Sequence, residues 1–228
     1  IEGSMPPALI LLGLTKLFGK FRALDALDLT LELGSIHGFV GPNGAGKTTM
    51  LSIVAGLKRK TSGEITFGIP EHQMMLMPDT PDFFPLLTAR EVVDLARYPF
   101  RKEVDEQAVS QIIGEVGLTE SIDRRVGGFS RGMKQRLGLA TTLIGEPQLV
   151  LLDEPCSALD PIGRREVLNT ISRLRDKSTV LFSTHILSDV EDVCDSVTVV
   201  DHGSALYGGS VGGIKKFEEQ SFEDAVLE

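Results

Sequence analysis

The stretch GPNGAGKT, residues 41–48, limits the possible folds more than any other part of the 228-residue chain. It matches the pattern G-x-x-x-x-G-K-[ST], in which glycines let the backbone turn tightly between a strand and a helix. The apolar run IHGFV, residues 36–40, precedes it, and a helix is expected from Thr48 to Leu57. The stretch therefore predicts a strand–loop–helix unit of an α/β fold.

The same loop is suited to hold a chain of phosphates. Backbone N–H groups of a glycine-rich loop and the positive end of the following helix both attract anions. Lys47 would supply a charge to the β- and γ-phosphates of a nucleotide, and the Thr48 hydroxyl would bind Mg²⁺. A glycine-rich turn without a ligand is the alternative. The candidate ATP-binding residues of the loop are Gly41, Pro42, Asn43, Gly44, Ala45, Gly46, Lys47, Thr48 and Thr49.

Further apolar runs predict a sheet that is covered by helices. Parallel strands buried on both faces give such near-continuous apolar runs. Residues 81–145 lack them and show helical spacing instead, which indicates a helical subdomain inserted between strands of the core. The predicted strands are ALILLGL (8–14), LDLTLEL (27–33), IHGFV (36–40), MMLM (74–77), QLVLLD (148–153), TVLFS (179–183) and SVTVVD (196–201).

The run LVLLDEP, residues 149–155, is an apolar strand that ends in two acids. Carboxylates avoid the inside of a buried strand, so these two are expected at its carboxyl end, where open α/β sheets bind ligands. Asp153 would anchor magnesium directly or through water, and Glu154 would act as general base on a water that attacks the γ-phosphate. The alternative is the ordinary N-terminal cap region of a helix.

Three shorter stretches complete an ordered set: FSRGMKQR (129–136), SALD (157–160) and STH (183–185). With GPNGAGKT and LVLLDEP they resemble, in this order, the nucleotide-binding domain of ABC ATPases over about residues 9–207. The resemblance implies a P-loop NTPase core with a parallel sheet, an antiparallel β subdomain and the inserted α-helical subdomain. It also implies ATP hydrolysis with Mg²⁺ in a dimer that closes around two MgATP.

The stretch FSRGM stands where this family has its signature LSGGQ. In a dimer, that segment would contact the ATP bound by the partner subunit. Arg131 and Met133 depart from the family pattern, which leaves open whether Arg131 faces nucleotide or solvent. An exposed helix start capped by Ser130 is the alternative. The candidate contacts to the partner's ATP are Ser130, Arg131, Gly132, Met133 and, in the loop between subunits, Asp160.

The resemblance implies roles for three more residues. His185 would hydrogen-bond the γ-phosphate and orient the attacking water. Asp79 stands where the family has glutamine and is expected to sense magnesium directly or through water. Phe18 is expected to stack on adenine, with Phe21 as the alternative. The remaining histidines, expected in turns or at the surface, are His37, His72 and His202.

Charge and hydropathy bear on the partners. The formal net charge is −9, which disfavours direct binding of nucleic acid. No apolar run approaches the roughly 20 residues that cross a bilayer. The stretch FSRGMKQRLGLA (129–140), the acid at position 79 and the short tail ending in SFEDAVLE resemble ABC-2 type exporters. This resemblance implies a second ATPase subunit, expected to be a copy of this chain, and an integral membrane permease on a separate chain. The expected location is cytoplasmic, peripheral at the inner face of the membrane. A soluble ABC ATPase of DNA repair or ribosomes is the alternative.

The sequence also predicts an internal division. The run DFFPLL, residues 82–87, is expected either in the core of the helical subdomain or in a groove for a membrane partner. A small helix is expected within the acidic end EEQSFEDAVLE. The predicted parts are an expression-tag remnant (1–4) and one ABC ATPase domain (5–228), made of a catalytic core with the β subdomain (5–80 and 146–210), the helical subdomain (81–145) and a C-terminal tail (211–228).

Overall fold

Two β-sheets form the centre of the computed structural model, which describes residues 6–216. The larger sheet has the order β5-β6-β7-β3-β8-β9, and all its neighbours are parallel except the antiparallel pair β8-β9. The smaller sheet is antiparallel with the order β2-β1-β4. The strands are β1 (Leu9–Phe18), β2 (Phe21–Leu31), β3 (Ile36–Val40), β4 (Ser62–Phe67), β5 (Met74–Met77), β6 (Leu149–Asp153), β7 (Thr179–Thr184), β8 (Ser196–Asp201) and β9 (Ser204–Ser210).

The helices pack around these sheets and confirm the predicted α/β class. One hydrophobic core joins the helices of the 81–145 region to the larger sheet, and a second lies between the smaller sheet, α1 and strands of the larger sheet. The helices are α1 (Lys47–Val54), α2 (Ala89–Arg97), α3 (Gln107–Glu115), α4 (Arg131–Leu143), α5 (Pro161–Ser172) and α6 (Leu187–Val193).

Three central strands owe their position to their sequence. Every residue of β3, β6 and β7 is buried, as their continuous apolar runs predict.

Helix α1 ends at Val54 rather than at the predicted Leu57, because Gly56 adopts a positive φ of 77° that stops the helix. Helix α2 begins with a reciprocal cap, in which Thr88 Oγ1 accepts from the Glu91 N–H and the Glu91 carboxylate accepts from the Thr88 N–H.

Parts of the predicted division lie outside the described residues, namely the tag remnant (1–4) and the helix expected within 218–228. Within residues 6–216, no helix combines the length and the apolar character needed to span a bilayer.

His37 corrects the expectation of a turn or surface position. It lies in β3 with 4% of its surface exposed, whereas His72 and His202 are exposed as predicted. Its Nδ1 is 2.6 Å from Ser196 Oγ and its Nε2 is 2.8 Å from Thr198 Oγ1, both on β8. Because hydroxyls both donate and accept, they satisfy a neutral imidazole. Burial lowers the pKa of His37 to about 4.

Lowering the pH from 7 to 4.5 should therefore destabilise the fold through His37. The unfolded state gains the proton below the ordinary pKa of 6.5, while the folded state stays neutral down to about 4. The free energy of unfolding then falls as the pH drops, by about 2–3 kcal/mol from this group. Urea denaturation of the wild type and of His37→Gln at both pH values measures the effect. The variant should lose correspondingly less stability, and an equal loss in both proteins would contradict the assignment.

Candidate functional site

Ten of the predicted site residues line one cleft of about 470 Å³, namely Asn43, Gly44, Gly46, Lys47, Thr48, Thr49, Asp79, Arg131, Glu154 and His185. Its walls come from the loop after β3, from Asp79 after β5, from Glu154 and Ser157 after β6, and from His185 after β7. These four strands are parallel, so their carboxyl ends lie at the same edge of the sheet, where α/β proteins bind ligands. The cleft therefore has the position predicted from the motifs.

The loop of residues 41–48 needs its glycines because other backbone passes close to it. A Cβ at Gly41 would lie 2.4 Å from the Val200 carbonyl oxygen. Gly46 has a φ of 102°, and a Cβ there would lie 2.5 Å from the Ala23 carbonyl oxygen. Lys47 Nζ, in a side chain that is 5% exposed, donates to the carbonyl oxygens of Gly41 at 2.5 Å and Pro42 at 3.0 Å. The lysine thus fixes the loop from within.

Asp153 lies under the loop as a buried carboxylate. Its Oδ2 accepts from Thr48 Oγ1 at 2.8 Å and its Oδ1 accepts from Ser183 Oγ at 2.7 Å. Burial raises the pKa of Asp153, and the hydrogen bonds from Ser183 and Thr48 oppose that rise. Hydroxyl and carboxylate oxygens are the hard ligands that magnesium prefers.

Thr48 and Asp153 suit Mg²⁺ better than they suit a metal ion coordinated by protein side chains alone. Among residues 6–216, no cluster of three or more His, Cys, Asp or Glu side chains could hold a metal ion. Magnesium commonly uses one or two carboxylates together with water and substrate phosphates. The pair Thr48 and Asp153 therefore suits magnesium that arrives with a nucleotide.

Glu154 adopts an unusual backbone conformation in the wall of the cleft. Its φ is +47°, and its N–H donates to Ser183 Oγ at 2.9 Å. On the side chain, Oε2 lies 3.0 Å from His185 Nδ1. The other oxygen, Oε1, lies 3.2 Å from Lys47 Nζ without the geometry of a hydrogen bond, and this buried atom has no hydrogen-bond partner among the described residues. One carboxylate oxygen thus remains able to accept a hydrogen bond from a ligand or water.

Asp79, the departure from the family pattern, lies within the cleft. It is half-buried, and its Oδ1 accepts from Ser157 Oγ at 3.2 Å. Asp79 thus adds a second carboxylate to the cleft wall, which Glu154 also lines.

The signature stretch begins helix α4. The exposed Ser130 is its N-cap, with Oγ accepting from the Met133 N–H at 3.1 Å, and Asp160 caps α5 by accepting from the Gly163 N–H at 2.8 Å. The predicted helix cap is therefore present. Met133 packs partly buried against the core, and the exposed Arg131 lines the cleft of its own chain. Contacts of this stretch across a dimer stay a prediction.

The two candidate adenine platforms differ in position. Phe18 and Phe21 pair across the hairpin between β1 and β2. Phe21 lines the cleft, whereas Phe18 is not part of its wall and has the ammonium groups of Lys16 and Lys58 at 4.9 and 5.6 Å from its ring centre. Its position in the cleft wall favours Phe21 as the residue that stacks on adenine. The order of the motifs along the sequence favours Phe18 for the same role.

Sequence reasoning gave no role to two residues that hold the site. Ser183 bridges Asp153 and Glu154 from the end of β7, and Gln135 of α4 donates to the Glu154 carbonyl oxygen at 2.9 Å. The sequence carries only weak signals for these two residues. Ser183 is a polar residue at the end of an apolar strand, and Gln135 is a glutamine on a helix face that the structure shows to be buried.

Comparison with known proteins gives a consistent result. The sequence pattern of the family described as ABC transporter matches residues 24–157, more than half of the chain. An uncharacterised ABC transporter ATP-binding protein, YxlF of Bacillus subtilis, is 37% identical over 90% of this chain and 72% of its own length. The bacitracin transport ATP-binding protein BcrA of Bacillus licheniformis is 37% identical over 85% of this chain and 66% of its own length. The lantibiotic transport ATP-binding protein SrtF of Streptococcus pyogenes is 34% identical over 90% and 92%.

Solved structures agree with these relatives. An ATP-binding subunit of an ABC transporter superposes with a TM-score of 0.83 at 26% identity, covering 93% of both chains. An ATP-binding cassette in its ADP conformation superposes with a TM-score of 0.78 at 23% identity, which supports the fold. The chain therefore belongs to the ABC transporter family of ATP-binding proteins.

Proposed function

We propose that the chain hydrolyses ATP as the motor subunit of an ABC transporter and drives a separate membrane permease. The observation that carries the proposal is the geometry of Glu154. One of its oxygens lies beside His185, and the other is buried without a hydrogen-bond partner among the described residues, 3.2 Å from Lys47 Nζ. A carboxylate in this position suits a base that takes a proton from water next to a bound phosphate.

ATP would bind with its phosphates along the loop of residues 41–48. Lys47 would exchange its contacts with the loop carbonyls for the β- and γ-phosphates, while loop N–H groups and the start of α1 face the anion. Thr48 and Asp153 would hold Mg²⁺, with Asp79 joining directly or through water. Bound Mg²⁺ supplies positive charge that neutralises the phosphate oxygens.

Hydrolysis would place a water between Glu154 and the γ-phosphorus. Glu154 accepts a proton as the water oxygen bonds to the γ-phosphorus, and the bond from that phosphorus to the bridging oxygen breaks to release ADP. His185 would donate a hydrogen bond to the γ-phosphate and help orient the water. Its 3.0 Å contact with Glu154 supports this joint role.

A second copy of the chain would complete each site. The 13-residue helix α4 begins at the exposed cap Ser130, and a helix N-terminus attracts phosphate. Ser130, Arg131 and Gly132 would therefore contact the ATP of the partner subunit, with Met133 and Asp160 in support. Arg131 also lines the cleft of its own chain. Its positive charge would therefore attract the nucleotide of its own chain or that of the partner subunit.

The permease would dock beside α2. The run DFFPLL divides its side chains: Phe83 and Leu87 pack against the core, whereas Phe84 and Leu86 are each 73% exposed. A groove of about 530 Å³ lies at this surface. Exposed apolar patches of this kind mark contact sites for other proteins. We assign the groove to a helix of the permease on the cytoplasmic side of the membrane, and the resemblance to ABC-2 transporters supports export as the direction.

ATP hydrolysis at varied Mg²⁺ concentrations tests this function on the purified chain. The wild type should require Mg²⁺, and Asp79→Asn should need about fivefold more Mg²⁺ for half-maximal rate, because a neutral amide oxygen binds the ion more weakly than a carboxylate. The amide oxygen can still accept from Ser157, so the local fold should persist. An unchanged magnesium requirement would make Asp79 a spacer, and no hydrolysis by the wild type would contradict the function itself.

A further inference from the structure

Gln135 is a buried amide that ties helix α4 to the segment after β6. Its side chain is 1% exposed. Nε2 donates to the Glu154 carbonyl oxygen at 2.9 Å and to Ser157 Oγ at 3.0 Å, and Oε1 accepts from the Ala158 N–H at 3.0 Å. Three hydrogen bonds to one short segment fix the orientation of a planar amide. Any shift of α4 in this region must therefore act on residues 154–158.

Glu154 depends on such support because of its backbone conformation. A φ of +47° is unfavourable for a residue with a side chain and persists only where the surroundings hold it. Two side chains hold the Glu154 backbone: Ser183 Oγ accepts from its N–H, and Gln135 donates to its carbonyl oxygen. The Glu154 carbonyl oxygen also accepts from the Ser157 N–H at 3.1 Å. Without Gln135 that single backbone hydrogen bond holds the carbonyl end, so the strained backbone that aims the carboxylate is less firmly fixed.

The first turn of α4 contacts the same segment. A Cβ at Gly132 would lie 3.1 Å from the Ala158 carbonyl oxygen, so helix and segment approach closely. Ser157, bonded to Gln135, donates in turn to Asp79 at 3.2 Å. Contacts therefore run from the start of α4 through Gln135 to both Glu154 and Asp79.

We propose that Gln135 is a positioning residue that sets the direction of the Glu154 carboxylate and couples it to the position of α4. The inference rests on the proposed function, in which the start of α4 contacts the ATP of the partner subunit. Gln135 would then link the nucleotide bound across the interface to the general base of its own chain. It contacts neither nucleotide itself.

Gln135→Met tests the role, because methionine keeps the approximate length and volume but makes none of the three hydrogen bonds. We expect kcat to fall about 10- to 100-fold, as for a displaced catalytic group. The Kd for ATP of the monomer should stay within about twofold, since no loop contact changes. Thr142→Val is the matched control: Thr142 is also a buried polar residue of α4, and within residues 6–216 its hydroxyl bonds only to the Gly138 carbonyl oxygen in the same helix. An unchanged kcat in Gln135→Met, or an equal loss in the control, would overturn the proposal.

A double-mutant cycle with Glu154→Gln separates positioning from general destabilisation. If Gln135 acts through Glu154, adding Gln135→Met to Glu154→Gln should change the residual single-turnover rate by no more than about twofold. Multiplicative losses would overturn the inference. Should Gln135→Met fail to fold, Gln135→Glu, which replaces the NH₂ donor by oxygen, is read by the same cycle. No hydrolysis by the wild type would contradict the proposed function. If Glu154→Gln keeps full activity, Glu154 is not the general base and this inference fails with that role; if only Gln135→Met keeps full activity, this inference alone fails.

Discussion

Glu154→Gln should lower the rate of ATP hydrolysis by roughly 10²- to 10⁴-fold, the range expected for loss of a general base. Glutamine matches the shape of glutamate but cannot take a proton from water. The residues proposed to hold the phosphates, above all Lys47 and the loop of residues 41–48, are unchanged, so ATP should still bind. Binding without turnover should then accumulate the ATP-bound dimer.

Light scattering after size-exclusion chromatography measures that dimer. With MgATP, light scattering should give the variant twice the molar mass of the monomer, while the wild type should return to the monomer mass as it consumes ATP. Glu103→Gln is the matched control, because it makes the same chemical change at an exposed position outside the cleft wall. Hydrolysis at the wild-type rate in Glu154→Gln would remove Glu154 from the role of general base.

The sequence predicts the centre of the fold better than its edges. Strands β3, β6 and β7 are buried at every position, so apolar runs alone identify them. Two strands were missed: β4 alternates exposed and half-buried residues, and β9 carries two adjacent glycines at the end of the sheet. An edge strand forms because it pairs with a neighbouring strand, and a weakly apolar sequence does not indicate that such a neighbour is present.

The same limit applies to the site. Motifs predicted most of the residues that line the cleft, because the proposed phosphate-binding chemistry needs those residue types in that order. The residues that hold them were not predicted, because their partners lie far away along the chain. Gln135 meets Glu154 across 19 positions, Ser183 meets Asp153 across 30, and His37 meets Ser196 across 159. Only the packing of strands and helices brings these pairs together.

Lys47→Ala should weaken ATP binding by the monomer roughly 10- to 100-fold. A hydrogen bond to a charged group contributes about 1.5–3 kcal/mol, which corresponds to that range of affinity. Lys47 is the only lysine in the cleft wall within the described residues, so no other ammonium replaces it. Equilibrium binding of a fluorescent ATP analogue, with protein dilute enough to remain monomeric, measures the loss. Lys102→Ala, at an exposed position outside the cleft wall, is the matched control and should bind normally.

Lys47 also shapes the empty loop, so the loss of affinity has two physical sources. Its ammonium group bonds the carbonyl oxygens of Gly41 and Pro42, and alanine releases both. Lys47→Met tests how much of the loss comes from side-chain volume, because methionine fills the same space but, like alanine, releases both carbonyl oxygens and carries no charge. If the filled space dominated, methionine would restore much of the affinity; if the ammonium group dominates, as we expect for a triphosphate, both variants should bind equally weakly. Affinity unchanged in both would contradict the assignment of residues 41–48 as the phosphate site.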